Sequence, residues 1–197
     1  MIGNKDITGM MQACGVVPVF YHEDAQVACD VVHACYAGGL RIFEFTNRGK
    51  HASAVFKTLQ SYCRKNLPEM MLGAGSIVNG NSADDFIGMG ADFIVSPLIS
   101  ESVIDVCRSK DILHIPGCGT VTEVGRAQKA GAAVVKLFPA EVLGPSFIRA
   151  IRGPMPWSNI MPTGGVTMEK ENIKAWFDAG AFCIGMGSAL FSRELIE

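Results

Sequence analysis

Short apolar runs alternate with segments of helical period from one end of this chain to the other, with no long linker between them. The runs read as strands at about 16–21, 40–45, 70–75, 92–96, 112–116, 133–138, 159–163 and 181–186. Helical patterns fall between them, near 24–37, 50–65, 81–89, 100–109, 121–130, 146–152 and 168–179. Strands separated by a helix are joined by crossovers rather than hairpins, so they run parallel. Four of the turns from helix back to strand repeat one device: Ala-Gly-Gly at 37–39, Gly-Ala at 90–91, and Ala-Gly-Ala at 130–132 and 179–181. A glycine just past a helix ends it in the left-handed conformation that other residues resist. Its recurrence marks a degenerate βα repeat. Eight strands in this order predict an α/β fold, a parallel (β/α)8 TIM barrel, as one domain over 1–197.

A doubly wound open sheet is the competing architecture, but it would use fewer strands and usually a glycine fingerprint after the first. Here the first strand is followed by Tyr-His-Glu-Asp (21–24), which reads as a helix N-cap rather than a metal cluster. Residues 4–14 predict an extra helix before the first strand. Past the eighth strand, 187–197 leave room only for a short or missing final helix.

Composition narrows the partners. The chain has 197 residues, 49% hydrophobic and 18% charged, so it has the material for a sizeable core. A formal net charge of -2 offers no footprint for nucleic acid or an anionic membrane. No apolar run has the length of a membrane-spanning helix, and the first residues do not read as a signal peptide. The seven cysteines are odd in number, scattered and free of any CxxC pair, which reads as reduced thiols in a cytoplasmic protein. Small molecules are therefore the expected ligands.

Lys136 lies within Ala-Ala-Val-Val-Lys-Leu-Phe-Pro-Ala-Glu (132–141), a charge on an apolar strand. Burial strips an ammonium of hydration and favours the neutral amine, the form that Schiff-base chemistry requires. By itself the residue reads equally well as a lysine that reaches the strand end or pairs with a carboxylate. Strand parity narrows the choice. Ile42, Glu44 and Thr46 share one face of the second strand, and Val134, Lys136 and Phe138 share one face of the sixth. In an eight-stranded barrel these two strands are opposed, so Glu44 and Lys136 can point at each other across the catalytic mouth. A buried ion pair is a weak device for stability, which favours a catalytic use.

The other strand ends fill in a site. The glycine-rich ends of the seventh and eighth strands offer backbone N–H groups for a phosphate, through Thr163, Gly164, Gly165, Gly187 and Ser188. Arg48, one loop past Glu44, has the planar fork that suits a carboxylate. Pro97 and Phe138, at the ends of the fourth and sixth strands, are expected to line the pocket.

These residues together resemble the 2-dehydro-3-deoxy-phosphogluconate aldolase / 4-hydroxy-2-oxoglutarate aldolase family of class I aldolases. The resemblance runs from about 15 to 190 and rests on Ala-Gly-Gly-Leu-Arg-Ile-Phe-Glu-Phe-Thr-Asn-Arg (37–48), Gly-Ala-Gly-Ser (73–76), Ile-Pro-Gly (115–117), Val-Lys-Leu-Phe-Pro-Ala-Glu (135–141) and Pro-Thr-Gly-Gly-Val (162–166). It implies Lys136 as the Schiff-base lysine and Glu44 as a general acid/base acting through a bound water. Arg48, Thr163 and Ser76 would hold the substrate carboxylate, and Gly164, Gly165, Gly187 and Ser188 the phosphate. It also implies a homotrimer with no cofactor and no metal, acting on a 2-keto acid and releasing pyruvate. Three departures stand out: Ser76 replaces the threonine of many members, Tyr-His-Glu-Asp lacks an arginine some members carry there, and the C-terminus is short for the family's last helix. The alternatives are a phosphate-binding barrel transferase or isomerase of the thiamine-phosphate-synthase type, or a non-catalytic phospho-sugar-acid-binding protein. The first needs a magnesium–diphosphate site or a second base. The second predicts loss of Lys136 or Glu44, and both are present.

Overall fold

Alternation along the strands sends neighbouring side chains into different cores. In β2 (Ile42–Thr46), Phe43 and Phe45 pack against the helices α2 (Ala25–Ala37) and α3 (Ala52–Asn66), while Ile42 joins an interior cluster on the opposite face. That interior collects Val17 from β1 (Val16–Phe20), Met71 from β3 (Met71–Gly75), and Phe93 and Val95 from β4 (Phe93–Val95). It continues through Ile115 of β5 (Leu113–Ile115) and Met161 of β8 (Ile160–Pro162). The parity read from the sequence therefore holds on β2, and it also holds around β7 (Val135–Leu137). There Val134 faces the interior and Val135 and Leu137 face the helices.

The computed structural model describes residues 4–191, with side chains from Ile7 onward. Its first element, α1 (Asn4–Cys14), is the extra helix the sequence predicts, and Ile7 and Met11 bury themselves in the interior cluster. All strand pairings are parallel. Six strands follow the order β5-β4-β3-β2-β1-β9, with β9 at Ile184–Met186, and three follow β6-β7-β8, with β6 at Gly117–Cys118. The first sheet curls, and both sheets contribute to the one interior. The remaining helices are α4 (Gly80–Gly88), α5 (Glu101–Ser109), α6 (Val121–Lys129), α7 (Ala140–Arg152) and α8 (Lys170–Asp178). No helix among the described residues is long and apolar enough to cross a membrane.

Two elements differ from the sequence reading. The expected fifth strand, 112–116, stops at Ile115 and resumes as β6, because Pro116 has no N–H to continue the ladder. The Pro116 carbonyl still accepts the Lys136 N–H at 2.9 Å. The seventh helix begins at Ala140 rather than near 146. Gly144 (φ 71, ψ 168) and Pro145 break it into two parts at a kink, and this break hid its first turn from a periodicity argument. The expected short or missing final helix falls largely on 192–197, outside the described residues, while 188–191 form turns and a bend.

Outside the interior, Ser96 Oγ lies 2.9 Å from His114 Nε2. Burial pushes the His114 imidazole down to about 4 from 6.5. An unfolded histidine takes up its proton near pH 6.5, so between 6.5 and 4 the unfolded chain binds a proton the folded chain does not. The His114 contribution is thus complete above pH 6.5 and is lost as pH falls toward 4. We expect urea titrations to show a loss of about 2 kcal/mol between pH 7 and pH 5 from this residue. His114→Gln should flatten that slope; identical slopes in the two proteins would remove His114 as its cause.

Candidate active site

β2 and β7 deliver the two charged groups of the interior. Glu44 is 0% exposed, and the Lys136 side chain is 8% exposed. Lys136 Nζ stands 3.7 Å from Glu44 Oε1, an ion pair just too long for a hydrogen bond. The amine also lies 5.4 Å from the centroid of the Phe138 ring. Both Glu44 oxygens lack a hydrogen-bond partner among the described residues. A fully buried carboxylate in that condition is costly, and such exceptions concentrate where a reaction uses the group. The chemistry available is nucleophilic attack by a shielded amine, with a carboxylate close enough to carry its protons.

β3 makes the pair possible. A Cβ at Gly75 would overlap the Glu44 carboxylate, and one at Gly73 would overlap the Phe93 ring. The Gly-Ala-Gly run at 73–75 is therefore a requirement of space, not of unusual backbone. Gly75→Ala should displace the carboxylate and lower turnover roughly 100-fold, as ångström misplacements of catalytic groups do. Steady-state turnover beside a thermal melt checks this; full activity in a folded variant would show that Glu44 tolerates the shift.

A cavity of about 420 Å3 opens at the C-terminal ends of β8, β9 and β1, within the usual range for a small-molecule site. Thr163, Gly164 and Gly165 line it from β8, and Gly187 and Ser188 from β9. Gly164 (φ 93) and Gly165 (φ 69) adopt left-handed conformations, and Glu141, in the first turn of α7, packs against both. Thr163 Oγ1 is buried without a partner among the described residues, and Gly185 leaves it room, since a Cβ there would overlap it. Arg48 and Phe138 also line the cavity.

Thus the cavity brings together Arg48, Thr163, Phe138 and all four residues assigned to a phosphate. Lys136 and Glu44 are not in its lining, but Phe138 and Thr46, one pleat further along the same faces, are. The ion pair lies beneath that floor. Ser76 and Pro97 stand outside the lining. Ser76, just past β3, has a left-handed backbone (φ 61), and the Pro97 backbone presses on Gly117 so closely that a Cβ there would overlap it. The Tyr-His-Glu-Asp segment does cap a helix: Asp24 accepts the Gln26 N–H at 2.7 Å at the start of α2. Yet Tyr21 and His22 line the cavity as well, which the capping signal alone does not reveal. Glu141 was visible only as the end of the lysine motif. Among the described residues no cluster of His, Cys, Asp and Glu is arranged to hold a metal. A second cavity, about 320 Å3 between α5 and α6, lies on the helix layer away from the pair.

Comparison with known proteins gives a concordant picture. The family described as "Aldolase: KDPG and KHG aldolase" matches residues 7–197. A 2-dehydro-3-deoxy-phosphogluconate aldolase of Pseudoalteromonas atlantica is 33% identical, over 77% of this chain and 69% of that protein. The KHG/KDPG aldolase of Escherichia coli is 32% identical over 92% of this chain and 83% of its own length. Among solved structures, the KDPG aldolase of Legionella pneumophila, with pyruvate captured as a covalent carbinolamine, superposes with a TM-score of 0.86. It is 27% identical, over 96% of this chain and 89% of that one.

Proposed function

The chain belongs to the KDPG and KHG aldolase family and is a class I aldolase; from that premise we propose that Lys136 is its imine-forming residue and Glu44 its proton carrier. The observation that carries this assignment is the ion pair itself, 3.7 Å across an otherwise apolar interior, directly under the cavity. The substrate is a 2-keto-3-deoxy-6-phospho sugar acid, 2-dehydro-3-deoxy-phosphogluconate, with 4-hydroxy-2-oxoglutarate as a second substrate. Arg48 and Thr163 meet its carboxylate, and Ser76 joins them by resemblance. Gly164, Gly165, Gly187 and Ser188 take the phosphate on backbone N–H groups and a hydroxyl.

The neutral amine of Lys136 adds to the C2 carbonyl, and the carbinolamine loses water to give a protonated imine. The C4 hydroxyl gives its proton to Glu44 and the C3–C4 bond breaks, its electron pair forming a C2=C3 double bond while the C2=N π pair moves onto the nitrogen. Glyceraldehyde 3-phosphate departs. The remaining enamine takes a proton at C3, and water hydrolyses the imine to release pyruvate and the free amine.

The scaffold for this reading is one closed (β/α)8 barrel formed by the whole chain. Its closure is supported by the Thr163↔Gly185 bridge and the Phe182 N–H donating to Ile160 O at 2.9 Å, and by the single residue Pro116 between β5 and β6. We further infer a cytoplasmic homotrimer. Val78, Leu98 and Val121 are 48%, 46% and 51% exposed, and they follow three neighbouring strands on one rim, an apolar surface suited to a partner copy. Molar mass in solution checks the assembly, and Leu98→Glu should lower it. For the activity, pyruvate release should be faster from phosphorylated than from unphosphorylated 2-keto-3-deoxy acids. Release from neither would overturn the assignment; release without preference would overturn the phosphate site.

A further inference from the structure

We propose that His22 reads the distal phosphate of the substrate as a hydrogen-bond donor through Nε2, completing a three-sided cradle with the β8 and β9 ends. The inference rests on the phosphate assignment above and deepens it. His22 lines the same cavity as Gly164, Gly187 and Ser188. Its position follows from register: β1 pairs with β9 through Pro18↔Met186, so the residues just past Pro18 run beside Gly187 and Ser188. The Val19 carbonyl oxygen lies 3.5 Å from the place a Cβ on Gly187 would occupy, which fixes the two chains side by side. Gly164 and Gly165 approach from β8, on the other side of β9.

The ring is held in one orientation and one tautomer. It stacks on Phe20 with planes 6° apart and centroids 6.4 Å apart. Its Nδ1 accepts the Asp24 N–H at 3.1 Å, so that nitrogen carries no proton and the proton of the neutral ring sits on Nε2. Nε2 has no partner among the described residues, and it belongs to a side chain facing the cavity. The remaining charges make this donor useful. Glu141 packs against Gly164 and Gly165 on the β8 side, so that side of the cradle carries a carboxylate. With Arg48, which also lines the cavity, assigned to the carboxylate, the donors left for a distal anion include Ser188, the glycine amides and the β1 side, where His22 stands. A donor on the β1 flank, opposite Glu141, helps set where the phosphate settles between the β8 and β9 ends.

Two substitutions separate binding from loop structure. His22→Asn keeps an acceptor where Nδ1 meets the Asp24 N–H but loses the far donor; His22→Gln keeps a donor at the reach of Nε2. For a phosphorylated 2-keto-3-deoxy acid, Asn should raise KM about 10-fold with kcat within two-fold, and Gln should stay within about three-fold of the parent. For an unphosphorylated analogue all three proteins should share one KM. Borohydride trapping of pyruvate runs on the same samples. Equal KM values for Asn and the parent on the phosphorylated substrate, with trapping intact, overturn the role of His22. Loss from Asn of the same factor on both substrates makes it a structural cap only. Failure of the parent to trap pyruvate overturns the aldolase reading instead.

Discussion

Lys136→Met is expected to abolish the borohydride-trapped pyruvate adduct and to lower turnover by about four orders of magnitude or more. Removal of the amine removes the covalent route, and no other described lysine is buried in the interior beside a carboxylate. The variant also leaves Glu44, 0% exposed, with neither a charge partner nor a hydrogen bond. Breaking a buried pair from one side costs roughly 3–5 kcal/mol, so the single variant should melt well below the parent. Lys136→Met combined with Glu44→Gln removes the orphaned charge and should recover most of that loss without recovering activity. A trapped adduct that persists on another lysine in the folded double variant would refute the assignment of Lys136.

Glu44→Gln is expected to separate the two halves of the chemistry. The amide keeps the shape of the carboxylate and leaves the space beside Lys136 filled, so the fold should survive with a smaller penalty. Pyruvate should still form a trappable adduct. Cleavage needs a proton taken from the C4 hydroxyl and one returned to C3, and a glutamine does neither. Turnover should fall about 100- to 10,000-fold, the usual contribution of a positioned general base. Unchanged turnover would remove Glu44 from the proton path and leave it as the counter-ion of Lys136 alone.

The sequence carried the alternation and the parity, because both follow from local periodicity, and the charge pair once barrel geometry opposed the two strands. Phe43 and Phe45 had to face the helices once Ile42 and Glu44 faced inward, and they do. α1 was legible at 4–14 for the same reason. The break at Pro116 and the kink at Gly144 were not, because a breaker inside an apolar run can end an element or interrupt it, and only tertiary pairing decides. The cavity was legible in its glycines and less so in its walls. His22 showed a capping signature, and its second position, beside β9, depends on pairing between the two ends of the chain. The packing of Glu141 on Gly164 and Gly165 likewise joins residues from different strands, and no spacing rule links them.

α1 has a kinetic consequence. Ile7 and Met11 fill the interior at the N-terminal ends of the strands, so matter cannot pass through the molecule and traffic uses the opposite end. On the proposed mechanism the pyruvyl fragment stays bonded to Lys136 at the bottom while the aldehyde fragment sits nearer the opening. Release is then ordered, aldehyde first, and in the synthetic direction pyruvate must load before the aldehyde does. Pyruvate should inhibit cleavage competitively against the sugar acid, while the aldehyde, binding only to the loaded enzyme, should inhibit in a mixed or noncompetitive pattern.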